Sequence, residues 1–133
     1  MVGIVVVSHS ERAAEGISEI AAEMAGDTRI EPVGGDGQGG IGTVPDAIED
    51  AIDAAAGGAG DAADPDGVVV LVDLGSAVMN ADVAVELSDA EATIADAPVL
   101  EGAVNAAVAA TDPSATVESV REQAEAARDV DKL

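Results

Sequence analysis

Hydrophobic positions along the chain alternate between two periods. Ile4-Val5-Val6-Val7 is a β-branched run that stops at Ser8-His9-Ser10. Ala13, Ile17, Ile20, Ala21 and Met24 then recur at helical spacing, with charges on the opposite face. Gly26-Asp27 ends that helix. Arg29–Val33 predicts a second strand, and the loop Gly34–Gly42 follows it. Thr43 reads as the N-cap of a second helix, with Pro45 in its first turn and Asp46 three residues on. Its buried stripe is Val44, Ala47, Ile48, Ala51, Ile52 and Ala55. Gly57–Asp66 is a Gly/Asp/Ala loop, expected to be mobile. Gly67–Leu74 is apolar on both faces and predicts a central strand. Ser76 reads as the cap of a third helix carrying Val78, Met79, Val83 and Leu87, with Met79 in the core. Ala92–Ala95 is a weaker strand, and Asp96-Ala97-Pro98 leads into a fourth helix ending near Ala110. Asp112-Pro113-Ser114 opens a last helix with Val117, Val120, Ala124 and Ala127 on one face.

Strands alternating with helices predict an α/β fold, a doubly wound and mainly parallel sheet with helices on both faces. Right-handed crossovers and central placement of the strongest strands give the order 2-1-3-4. The length, 133 residues, fits a single domain over 1–133. Ligands of such sheets gather beyond the carboxyl ends of the strands, at the point where strand order reverses. That point lies between strands one and three, so His9 and Asp73 are expected to face each other across the crevice. His9 is the chain's one histidine.

Composition narrows the function. Asp and Glu number 27 against 5 Lys and Arg, a formal net charge of −22. A basic footprint for nucleic acid is missing, and an anionic membrane surface would repel the chain. With 48% hydrophobic residues the acidity is not a signature of disorder. It fits a very salty cytoplasm, where at molar salt the screening length falls to roughly 3 Å and self-repulsion largely disappears. The absence of cysteine excludes thiolate catalysis and zinc–thiolate sites. With dispersed acids and one histidine, no metal site or bound cofactor is expected. Ile4–Val7 is too short to span a bilayer, so a cytoplasmic protein is expected.

A histidine with a carboxylate partner has a defined tautomer and a more basic free nitrogen. Glycine-rich loops and helix starts nearby supply backbone N–H groups for an anion. An imidazole so placed suits acceptance and onward passage of a phosphoryl group, a reaction that is mainly positioning and charge stabilisation. Competing arrangements fail on residues. No G-x-S-x-G elbow is present. Ser8 and Ser10 neighbour His9 on an extended segment and point away from it. A receiver domain with Asp73 as phosphoacceptor lacks paired acids after strand one and a late lysine. The Gly34–Gly42 loop lacks the lysine of a P-loop.

Three segments carry a family resemblance: Gly3-Ile4-Val5-Val6-Val7-Ser8-His9-Ser10, Val72-Asp73-Leu74-Gly75-Ser76-Ala77-Val78-Met79-Asn80 and Asp96-Ala97-Pro98-Val99-Leu100-Glu101-Gly102-Ala103. In this order, over nearly the whole chain, they resemble the phosphotransferase subunit of dihydroxyacetone kinase, itself similar to mannose-class enzyme IIA domains. The resemblance implies a phosphohistidine carrier. It takes its phosphoryl group from the histidine-containing phosphocarrier protein, fed by enzyme I and phosphoenolpyruvate. It passes the group to ADP held on the nucleotide-binding kinase subunit. Carried onto this chain, His9 is the phosphoacceptor and Asp73 the orienting carboxylate. Ser10, Gly40, Gly42, Thr43, Gly75 and Ser76 hold the phosphate, and Asn80 shapes the loop or the partner face. Relatives commonly carry a serine after the loop threonine, where Val44 stands here. Some carry fused phosphocarrier and enzyme I-like domains; this chain is expected to take its phosphoryl group from a separate protein. A homodimer is also implied. Two alternatives stay open: an enzyme IIA serving a sugar transporter, and a non-enzymatic α/β binding module.

Overall fold

Strand β1 (Gly3–Ser8) runs through the middle of the molecule because its alternate side chains find an apolar partner on either side. Val2, Ile4 and Val6 join Val69 and Leu71 on one face, while Val5 and Val7 join Val68 and Val70 on the other. The structure, a computed structural model, describes residues 1–57 and 66–133. The loop expected over Gly57–Asp66 lies, apart from its two end residues, outside them.

Strands β2 (Ile30–Gly34), β3 (Val68–Val72) and β4 (Ala92–Ile94) complete a parallel sheet ordered β2-β1-β3-β4, the order expected from the sequence. β2 tolerates Pro32 because it is an edge strand, where a missing N–H need not break a ladder on both sides. Helices α1 (Glu11–Ala22), α4 (Val99–Ala110) and α5 (Val117–Glu125) cover one face; α2 (Pro45–Ala55) and α3 (Val78–Leu87) cover the other. With no aromatic ring in the chain, helices lie on the sheet through small side chains, as α4 does with Ala103, Ala106, Ala107 and Ala110. Each fully buried Val, Ile or Leu contributes about 1.5–3 kcal/mol, so stability is spread over many modest contributions. No helix among the described residues is long and apolar enough to cross a membrane.

Five local expectations are corrected. Thr43 does not cap α2: Val44 holds the N-cap position without a side-chain bond, and the Thr43 hydroxyl instead accepts from Asn80 Nδ2 at 2.7 Å. Ser76 does not cap α3 either, because it sits inside a 3-10 turn, Gly75–Ala77, that precedes the helix. Met79 is 77% exposed, and Val83 and Leu87 are exposed with it; Ala81 and Ala84 face the core. The α3 sequence is apolar nearly all round, so periodicity could not choose its inner face, and close approach favours alanine. The last helix begins at Val117, after a capping box formed by Thr116 and Ser119. Asp112 accepts from the Ser114 N–H and hydroxyl, which makes 112–114 a turn. On α1 the inner stripe is Ala14, Ser18 and Ala21, leaving Ala13, Ile20 and Met24 exposed.

Candidate active site

The β1–β3 register pairs Val7 with Val72, so the next residues of both strands leave the sheet together at its carboxyl edge. The Asp73 N–H donates to the Val7 carbonyl at 3.1 Å and extends that alignment one residue beyond the strands. Three donors converge on the Asp73 carboxylate. The Ser8 hydroxyl donates to Oδ2 at 2.9 Å, the His9 backbone N–H donates to Oδ2 at 3.0 Å, and His9 Nδ1 lies 2.9 Å from Oδ1. Burial pushes the Asp73 carboxyl up; the His9 backbone bond, then the His9 ring and the Ser8 hydroxyl, outweigh it and hold the group below the usual carboxylate range.

An ionised carboxylate only accepts hydrogen bonds, so Nδ1 carries the proton facing Asp73. In the neutral ring Nε2 then keeps its lone pair, and the Ser76 hydroxyl, 2.9 Å away, donates to it. The imidazole is thus held at both nitrogens, with its lone pair on Nε2. Its side chain is 21% exposed, enough for a partner to reach. The first N–H groups of the helical segment opening at Gly75 and Ser76 have no carbonyl to meet within it.

The opposite flank of His9 is a glycine loop. A side chain at Gly34 would put a Cβ 2.5 Å from the Ser8 carbonyl and 2.8 Å from that of Ser10, so only glycine lets β2 approach the turn after β1. Asp36 Oδ1 accepts from the Gln38 N–H at 2.8 Å and from the Gly40 N–H at 2.9 Å. The Gly42 N–H donates to the His9 carbonyl at 2.8 Å.

The chain has counterparts among known proteins. The family described as "PTS system fructose IIA component" matches residues 3–121. The phosphotransferase subunit DhaM of the PTS-dependent dihydroxyacetone kinase of Lactococcus lactis is 37% identical over 123 residues, covering 92% of this chain and 93% of that one. The chain belongs to this family. A second DhaM, the phosphoryl donor subunit of PEP-dependent dihydroxyacetone kinase 2 from Listeria innocua, is 41% identical over 113 residues, 81% of this chain and 85% of its own. The crystal structure of a protein of unknown function shares the fold with a TM-score of 0.75 at 29% identity, covering 93% and 92% of the two chains.

Within this DhaM-like chain the sequence-derived site residues divide into three groups. His9, Asp73 and Ser76 meet directly, with Gly75 beside Ser76. Thr43 joins through Asn80, whose side-chain amide donates to its hydroxyl and to its carbonyl, tying the glycine loop to α3. Ser10, Gly40 and Gly42 are already engaged elsewhere. The Ser10 hydroxyl caps α1 by accepting from the Ala13 N–H, the Ser10 N–H donates to Ser8 Oγ, and the two glycine amides serve Asp36 and the His9 carbonyl. These three residues hold the loops: the two glycine amides are taken up, and Ser10 serves the cap of α1 and the bond to Ser8. The sequence reading missed Ser8, whose buried hydroxyl links Asp73 to the Ser10 amide. A hydroxyl as the last residue of a buried strand was its available signal.

Proposed function

We propose that the chain is a phosphohistidine carrier in a phosphoenolpyruvate-dependent dihydroxyacetone kinase. The observation that carries this reading is the line Asp73 Oδ1–His9 Nδ1 and His9 Nε2–Ser76 Oγ, each 2.9 Å. The Nε2 lone pair attacks the phosphorus of a phosphohistidine on the histidine-containing phosphocarrier protein. One P–N bond forms on His9 as the donor's P–N bond breaks, and the donor imidazole keeps the electron pair. No proton need move, because Nδ1 already carries its proton and Asp73 offsets the positive charge that the phosphorylated ring develops. Ser76 turns its hydroxyl from the nitrogen to a phosphoryl oxygen, assisted by the amides at Gly75 and Ser76; Thr43 completes the cradle from the loop side.

In the second half-reaction a β-phosphate oxygen of ADP, held on the kinase's nucleotide subunit, takes the group, and ATP then serves dihydroxyacetone. The carrier acts in the cytoplasm, as a single domain and as a homodimer. The high acidity fits a salt-rich interior and makes docking depend on apolar contact, for which Ile41, Leu74 and Met79 are exposed.

The test mixes the chain with labelled phosphoenolpyruvate, enzyme I and phosphocarrier at high salt, beside His9→Ala. ADP-loaded nucleotide subunit and dihydroxyacetone follow. Label on the wild type alone, then triose phosphate, is the expected result. No label on folded wild type with cognate partners leaves a binding module. The family's description, fructose IIA component, favours one second reading, an enzyme IIA of a sugar transporter. Label that passes to a transporter IIB protein and never yields triose phosphate would establish it.

A further inference from the structure

Cations are scarce in this chain, and most are occupied. Arg121 pairs with Glu118 and Glu125, Arg128 with Asp96, and Lys132 with Glu101. Arg12 and Arg29 form no ion pair among the described residues. Arg29 precedes β2, at the edge of the sheet remote from His9. Arg12 is in the first turn of α1, three residues beyond His9, at the functional edge. It lines an open cavity of about 470 Å³ together with Ser10, Gly35, Gly39 and Ile41. Glu11 also lines this cavity, yet makes no ion pair with Arg12 among the described residues. Asp36 Oδ1 is held by the loop's own amides. The cavity wall is otherwise mostly glycine, which lets a ligand come close to backbone.

We propose that Arg12 and this cavity bind the phosphates of the nucleoside diphosphate that accepts the phosphoryl group. The proposal rests on the carrier reading above. A guanidinium presents a planar fork of donors that matches phosphate oxygens in pairs. A chain of formal charge −22 that carries a further phosphoryl group repels a polyanionic acceptor. An arginine without an ion pair among the described residues, three positions after His9 and at the same edge of the sheet, offsets that repulsion. Transfer from the phosphocarrier passes between two imidazoles and has no polyanionic acceptor, so it makes no such demand. In the step served by Arg12, a β-phosphate oxygen forms the new P–O bond as the P–Nε2 bond breaks. Nε2 recovers its lone pair, Nδ1 keeps its proton, and the diphosphate leaves as the triphosphate. Arg12 is a recognition residue for one half-reaction only.

The experiment separates the two halves. Wild type, Arg12→Gln and Arg12→Lys are phosphorylated with phosphoenolpyruvate, enzyme I and phosphocarrier, and rates of labelling are compared. The labelled proteins then meet ADP-loaded nucleotide subunit, and loss of label is followed by rapid quench. Labelling within about twofold for all three is expected, with discharge of Arg12→Gln slowed at least about tenfold and partial recovery in Arg12→Lys. Equal discharge rates, or both halves slowed alike, would overturn the proposal. In parallel, inorganic pyrophosphate is titrated at constant ionic strength against amide resonances of residues 10–12 and 35–41. Saturable shifts in the wild type that vanish in Arg12→Gln are expected. Slowed discharge without such shifts would assign Arg12 to a carboxylate of the partner protein and so refute the diphosphate. This titration does not need His9 to react. A wild type that takes no label but binds pyrophosphate through Arg12 would sink the carrier reading and leave the anion site standing.

Discussion

On the β3 side of His9, polar contacts reach the imidazole or the carboxylate that holds it: Asp73 and Ser76 each lie 2.9 Å from a ring nitrogen, and Ser8 donates to Asp73 at 2.9 Å. On the glycine-loop side, polar contacts stay inside the loop, end on the His9 backbone or, through Thr43, reach Asn80 of α3, as with Asp36 to Gln38 and Gly40 and Gly42 to the His9 carbonyl. Both flanks are built from turns after parallel strands, and both are rich in groups able to bind an anion. They differ in what those groups already do. The first flank fixes the tautomer of the ring; the second holds the His9 backbone and borders an open cavity.

The comparison can be broken by substitutions on each side. Asp73→Asn should have the largest effect, slowing phosphoryl acceptance about 10²-fold or more, because the ring loses the acceptor that fixes its tautomer. Rapid-quench labelling reads this directly. Ser76→Ala should slow acceptance about tenfold, the loss of one neutral hydrogen bond to the reacting centre. On the loop side, Asp36→Ala should leave the acceptance rate within about twofold. Its effect should appear in hydrogen exchange, as lost protection of the Gln38 and Gly40 amides. A rate loss for Asp36→Ala as large as that for Asp73→Asn would erase the distinction between the flanks.

Acid sharpens the contrast further. Asp73 is held below its ordinary value of 3.8, so ionised Asp73 stabilises the fold fully above that value. That contribution is lost as pH falls below 3.8 through the lower folded value. The gap in urea midpoint between wild type and Asp73→Asn should therefore be widest near neutrality and shrink below that pH. A gap that stays constant with pH would mean that Asp73 acts through shape and not through its charge.

The flank that holds the imidazole ring was the legible one. A β-branched strand ending in Ser8-His9 and a second ending in Asp73 reveal the crevice, since parallel pairing and strand order bring strand ends together. The glycine loop was legible as a loop but not in its wiring. Nothing in its spacing says that Asp36 takes up the Gly40 amide, or that Asn80 draws the Thr43 hydroxyl away from capping α2. Met79 misled for a related reason: on a helix apolar nearly all round, which face turns inward depends on how near the backbone can approach the sheet. Arg12 was invisible as a site because an arginine in a helix's first turn is ordinary. Its meaning depends on which other cations are paired.

The most direct measurement is nitrogen-15 and phosphorus-31 resonance of the chain labelled at His9 and phosphorylated through the phosphocarrier. Phosphorus coupled to Nε2, with Nδ1 still protonated against Asp73, is the expected result. Phosphorus on Nδ1, or on any residue other than His9, would contradict the roles assigned to Asp73 and Ser76.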